Sequence, residues 1–89
     1  MIITGRVQGV YFRESTREIA ERLGVVGWIK NLPDGKVEAL FQGSPDAVES
    51  CVEFCRQGPA MANVEGVVVE RRQSIDKNLT AFHVLRRMD

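Results

Sequence analysis

The chain has 89 residues, 44% hydrophobic and 27% charged, and its 12 basic and 12 acidic residues cancel to zero net charge. A chain this long builds one small core, burying roughly 60% of its unfolded surface; its charge balance argues against a general nucleic-acid or membrane-surface binder, which needs a clear basic excess. No apolar run approaches the ~20 residues of a bilayer span, and the start Met1-Ile2-Ile3-Thr4-Gly5 lacks the basic and apolar regions of a secretory signal, so the expectation is a cytoplasmic, monomeric single domain over residues 1–89.

Ile2 to Gly5 reads as a short first strand. From Phe12, apolar and small residues recur at Ser15, Thr16, Ile19, Ala20 and Leu23, the spacing of a helix with one buried face. Gly24 supplies a left-handed cap, and Glu18 and Arg22 form an i,i+4 pair on the solvated side with Glu14, Arg17 and Glu21. Val25 to Asn31 is rich in β-formers. Leu32-Pro33-Asp34-Gly35 turns the chain, and Lys36 to Gln42 alternates Val37, Ala39 and Phe41 against Glu38, Leu40 and Gln42. The spacing predicts a hairpin. Ser44-Pro45-Asp46 starts a second helix with Ser as N-cap and Pro at the first position. It runs to about Gln57, where Gly58-Pro59 stops it.

Val64 to Arg71 reads as a fourth strand, with the run Val67-Val68-Val69 as strand core; Gln73 to Leu79 is a polar loop, and Thr80 to Leu85 a last short strand. The order β-α-β-β-α-β with an extra terminal strand predicts a ferredoxin-like α/β sandwich, a mainly antiparallel sheet with two helices on one face. Cys51 and Cys55 share a face of the second helix and read as small buried hydrophobes; their side chains do not point at each other as a disulfide requires, and a metal site needs more ligands.

The functional signal is Gly5-Arg6-Val7-Gln8-Gly9-Val10-Tyr11-Phe12-Arg13. A loop with glycines at both ends can turn its amides inward and feeds directly into a helix N-terminus, which suits a phosphate dianion. Gly5 and Gly9 permit backbone angles and close approaches that a side chain would block. Arg13 stands at the helix end that already carries about half a positive charge, a local conflict that a bound anion resolves. Its planar guanidinium makes two parallel bonds to a phosphate; the competing reading pairs it with Glu14 or Glu18. Arg6 adds positive field from within the loop. Neither a Walker A loop nor a dinucleotide fingerprint is present, because the glycine spacing is wrong for both.

These residues resemble the signature loop of the acylphosphatases. The resemblance continues through Leu23-Gly24-Val25-Val26-Gly27-Trp28-Ile29-Lys30-Asn31, Asp34-Gly35-Lys36-Val37-Glu38 and Gln42-Gly43 to Gly58-Pro59 and Phe82-His83-Val84. It implies the same βαββαβ fold and metal-free, cofactor-free cleavage of a small acyl phosphate to a carboxylate and inorganic phosphate. By that resemblance Gly5, Arg6, Val7, Gln8, Gly9, Val10 and Tyr11 bind the phosphoryl group, Arg13 clamps it and Asn31 positions the attacking water. The first strand begins later than the family's usually does, which is expected to anchor the loop less firmly; Tyr11 is bulky at a variable position; Arg86-Arg87-Met88-Asp89 forms a longer, more basic tail.

An acyl phosphate needs little help to leave. Its carboxylate has a pKa of about 4 and departs unprotonated, which fits a sequence with no evident catalytic His-Asp pair. A carboxamide both donates and accepts, so Asn31 can orient a neutral water, although Asn is also common beside a Pro-Asp-Gly turn. His83, Trp28 and Lys30 read as strand residues without a catalytic role. Two other functions compete. RNA-recognition modules share the strand order but display aromatics on the third strand, where this chain has only Phe41. A non-catalytic anion-binding or regulatory acylphosphatase-like module would keep the loop and dispense with turnover.

Overall fold

The computed structural model describes residues 1–72 and 75–85. Seven elements follow one another: β1 (Ile2–Arg6), α1 (Phe12–Leu23), β2 (Val26–Asn31), β3 (Val37–Gln42), α2 (Pro45–Gln57), β4 (Asn63–Val68) and β5 (Phe82–Val84). The strands form one sheet in the order β4-β1-β3-β2-β5. All neighbours are antiparallel except β2 and β5, which run parallel. The helices pack on each other and on the sheet, the ferredoxin-like sandwich expected from the order of elements.

Local chemistry sets the element ends. Gly24 closes α1 in the left-handed region at φ 74°, its N–H reaching Ala20 and Glu21 carbonyls. Ser44 caps α2 through its side chain, which accepts from the Ala47 N–H, with Pro45 at the first turn. Between strands β2 and β3 the register pairs Asn31 with Val37 and Ile29 with Ala39. Strand residues alternate, so Ile3, Ile29, Val37 and Ala39 are buried under the helices with Phe12, Ala20, Cys51 and Cys55. Thr16 is the polar member of this interior, and its hydroxyl donates to the Phe12 carbonyl at 2.9 Å. Phe41 stacks on Phe82 with ring centroids 5.6 Å apart and packs against the core, so it is not displayed as a base-stacking platform.

Several expectations shift. β4 ends at Val68 rather than Arg71, because Val68 already pairs with Ile2, the first residue of β1, and the ladder stops there. Val68 is 68% exposed, so the valine run is not uniformly core: neighbouring strand residues face opposite sides. β2 begins at Val26 and β5 spans only Phe82–Val84. The buried line of α1 is Phe12, Thr16 and Ala20; Leu23, on its flank in the last turn, is largely exposed. Glu18 accepts from the Tyr11 hydroxyl at 3.3 Å, and the α1 ion pairs among the described residues join Arg17 to Glu14 and Glu21, not Arg22 to Glu18. Within the polar loop, Gln42 bonds both the N–H and the carbonyl of Asp76; Gln73 and Ser74, like the tail Arg86-Arg87-Met88-Asp89, lie outside the described residues.

Cys51 and Cys55 are free thiols with no exposed surface. Burial pushes Cys51 up from its ordinary 9.0 to about 11. Burial also pushes Cys55 up, to about 12, partly offset by the Thr16 hydroxyl. Since the folded values are raised, the unfolded chain ionises first, and the stability tied to these thiols is full below about pH 9 and lost as pH rises toward 12. Urea unfolding of the reduced protein is therefore expected to show a falling midpoint above pH 9, and a thiol-specific reagent at pH 8 should modify neither cysteine faster than the protein unfolds; prompt labelling of the native state would contradict this packing.

Candidate active site

The glycine-bounded stretch divides in two. Gly5 and Arg6 belong to β1, and the loop proper is Val7 to Tyr11. Gly5 sits at a register shift between β1 and β4 with φ 120°. A Cβ there would lie 2.2 Å from the Asn63 carbonyl oxygen and 2.8 Å from the Glu65 nitrogen. The close approach that Gly5 permits is thus to the neighbouring strand, not to an anion. Gly9 is different: it has φ 72°, and nothing lies within 4 Å of where its Cβ would be. It supplies a left-handed turn beside open space.

Val7 and Val10 are 1% and 7% exposed and belong to the core. Full burial of a valine is worth roughly 1.5 kcal/mol or more, so the loop is pinned at two points while Gly9 and Tyr11 between and beyond them stay exposed. Tyr11 occupies the N-cap position of α1 in the left-handed region at φ 64°, with no side-chain cap bond. The first-turn N–H groups of α1 therefore lack the side-chain oxygen that usually serves them. The Glu18 carboxylate, by charge and then by hydrogen bond, raises the Tyr11 phenol above its ordinary value.

Val7, Gly9, Tyr11, Phe12, Arg13, Glu14, Asn31 and Val84 together line a hollow of about 160 Å³. That is well below the roughly 300 Å³ of a drug-sized site; it suits a small polar group. Arg13 donates from Nη1 to the Leu85 carbonyl at 3.1 Å, just beyond β5, its one hydrogen bond among the described residues. The competing reading of Arg13 as a helix-surface ion-pair partner is not realised. Glu14 is held by Arg17 at 2.6 Å, and Glu18 takes the Tyr11 hydroxyl. Hydrogen bonding to Glu14, with its charge, raises the Arg17 pKa, so the carboxylate beside the hollow already has its counter-charge.

Asn31, at the end of β2, reaches the same hollow. Its Oδ1 is buried and accepts no hydrogen bond from the described residues. No turn contact among the described residues occupies it. A groove of about 800 Å³ elsewhere, reaching from Trp28 and Leu40 to Val48 and Ile75, is larger. Among the described residues, its acidic groups are already paired: Glu38 with Lys30, Glu49 with Arg71 and Glu70 with Arg72.

Of the residues picked out in the sequence, the hollow gathers Val7, Gly9, Tyr11, Arg13 and Asn31, while Gly5, Arg6, Gln8 and Val10 do not line it. Phe12, Glu14 and Val84 line it without having been singled out. Val84 arrives through the parallel pairing of β5 with β2, a contact between distant segments with no local signal in the sequence.

The acylphosphatase family model matches residues 1–84. The chain belongs to the acylphosphatase family. An acylphosphatase of Gloeobacter violaceus is 54% identical over 84 residues, covering 94% of this chain and 88% of that protein. One from Rubrobacter xylanophilus is 63% identical over 68 residues, 76% of this chain but only 62% of that relative's length. The crystal structure of acylphosphatase from Bacillus subtilis superposes with a TM-score of 0.89 at 34% identity, covering 94% of this chain and 92% of that one.

Gly5→Ala is expected to destabilise the protein by more than ~1 kcal/mol, since both the positive φ and the Asn63 carbonyl oppose a Cβ. Gly9→Ala should cost less, having only the φ to overcome. Paired urea titrations measure the difference; equal losses would mean that the approach of β1 to β4 is unimportant.

Proposed function

We propose that Arg13 and Asn31 carry the cleavage of the carboxyl–phosphate bond of acyl phosphates by this chain, giving a carboxylate and inorganic phosphate. Membership of the family and the match to a solved acylphosphatase support the reaction; the Asn31 carboxamide lining the same hollow as a guanidinium with N–H groups to spare supports the division of labour.

In this reading the phosphoryl group enters the hollow against the exposed backbone of the Val7–Tyr11 loop and the uncapped end of α1. Loop amides and Arg13 spread stabilising charge over the three non-bridging oxygens, where phosphoryl transfer concentrates it. The Asn31 carboxamide, able both to donate and to accept, holds a water and turns its lone pair toward phosphorus in line with the bridging oxygen. The new P–O bond forms as the bridging P–O bond breaks, and the bonding pair leaves on the carboxylate. The water proton passes to a phosphoryl oxygen, so no enzyme base is needed. The leaving carboxylate, with a pKa of about 4, requires no acid. No step calls for a metal or cofactor. Gly5 and Arg6 serve indirectly, by setting where β1 ends and the loop begins.

A non-catalytic anion-binding module would have use for Arg13 but no need of a water-orienting carboxamide in the same hollow. The substrate is a small acyl phosphate, and the partner set includes no nucleic acid or membrane; among the described residues no helix is long and apolar enough to cross one. The reading places a monomeric single domain in the cytoplasm, in keeping with two free buried thiols.

Purified protein in excess EDTA should hydrolyse acetyl phosphate at an undiminished rate; a requirement for added metal would overturn the mechanism. Arg13→Ala should lower turnover by ~100-fold or more and abolish competition by inorganic phosphate. Asn31→Ala should lower kcat by ~100-fold with phosphate competition near normal. Equal loss of phosphate affinity in the two variants would make Asn31 a ligand or a structural residue.

A further inference from the structure

Gln8 lies in the middle of the loop sequence, yet its side chain turns away from the hollow. Its Nε2 donates to two carbonyl oxygens, Leu32 and Lys36, each at 2.8 Å and 24 and 28 residues distant in sequence. Those carbonyls flank the neck of the β2–β3 turn, immediately after Asn31. A primary amide has two N–H hydrogens; both are spent here, leaving none for an anion.

We propose that Gln8 is a positioning residue that sets the distance between the loop and Asn31, and so between the bound phosphoryl group and the attacking water. This rests on the roles of Arg13 and Asn31 given above. The loop and the hairpin are otherwise separate segments. Val7 and Val10 fix the loop to the core, and the β2–β3 ladder fixes Asn31; the Gln8 amide joins them directly.

The turn does not need Gln8 in order to fold. The Leu32 carbonyl also accepts from the Gly35 N–H at 3.1 Å, and the Lys36 carbonyl from the Leu32 N–H at 2.8 Å. Removing the amide therefore leaves neither oxygen unpaired, and the hairpin keeps its own bonds. What is lost is the tie between two halves of a site, where a displacement of about 1 Å can reduce rate by ~100-fold.

The test is Gln8→Met, which keeps the length and loses both donors, assayed with acetyl phosphate as substrate and inorganic phosphate as competitor. The expected result is a fall in kcat of ~10-fold or more, with the phosphate inhibition constant within about threefold of the parent. Gln8→Glu provides the second arm. It loses both donors when ionised and regains one when protonated, so its kcat relative to Gln8→Met should rise as pH falls through about 5. Unchanged kcat in Gln8→Met, or kcat and phosphate affinity falling in step, overturns the proposal. Loss of the folded state in both variants, seen by circular dichroism, also overturns it, because the amide would then hold the fold. An Asn31→Ala variant with parental kcat would instead sink the underlying assignment of Asn31, whatever Gln8 does.

Discussion

The site depends on burial of Val7 and Val10 at either side of an otherwise exposed turn. A backbone anion cradle works only if its amides are held in place before the anion arrives, since ordering a loop costs roughly 1–2 kcal/mol per residue. Two buried valines meet much of that cost from the hydrophobic side. They also make tolerable a left-handed Tyr11, which a bulky residue adopts only when its surroundings impose it. The core and the loop are therefore one energetic unit, and a change that loosens the core under α1 loosens the loop as well.

Charge follows the same logic. Arg13 at the positive end of α1 is unfavourable for the isolated helix. The acidic side chains that could relieve it locally are engaged: Glu14 by Arg17 and Glu18 by Tyr11. The Leu85 carbonyl steadies one nitrogen without neutralising the charge. The conflict thus persists in the free protein. Arg17 matters here although it lies outside the hollow, because an unpaired Glu14 on the rim would oppose phosphate.

Local signals in the sequence were enough for most of the framework. Gly24, Ser44-Pro45 and the Leu32–Gly35 turn act within a few residues, and each stands where its chemistry puts it. Part of the glycine-bounded loop (Val7, Gly9 and Tyr11) lines one hollow with Arg13 and Asn31. What could not be read locally were the effects of distant neighbours. Val64 to Arg71 has uniform β character, yet pairing with β1 ends the strand at Val68. Gly5 looked like a loop glycine, and only the approach of Asn63 shows that the sheet needs it. Glu18 had a good helical partner in Arg22, but the phenol of a left-handed Tyr11 took its place. Gln8 belongs by position to the glycine-bounded loop, while its side chain bonds the hairpin.

Fold and chemistry meet in the register of the β2–β3 hairpin. Because successive strand residues face opposite sides, a slip of one residue would turn the Asn31 side chain away from the loop. The core prevents that slip, since the same shift would bring Lys30 and Trp28 inward in place of Ile29. Lys30 is instead held on the opposite face, between Glu38 at 3.7 Å and the Trp28 ring at 5.1 Å. The burial of Ile29 and the placement of Lys30 on the opposite face thus fix which way the carboxamide two residues after Ile29 must point.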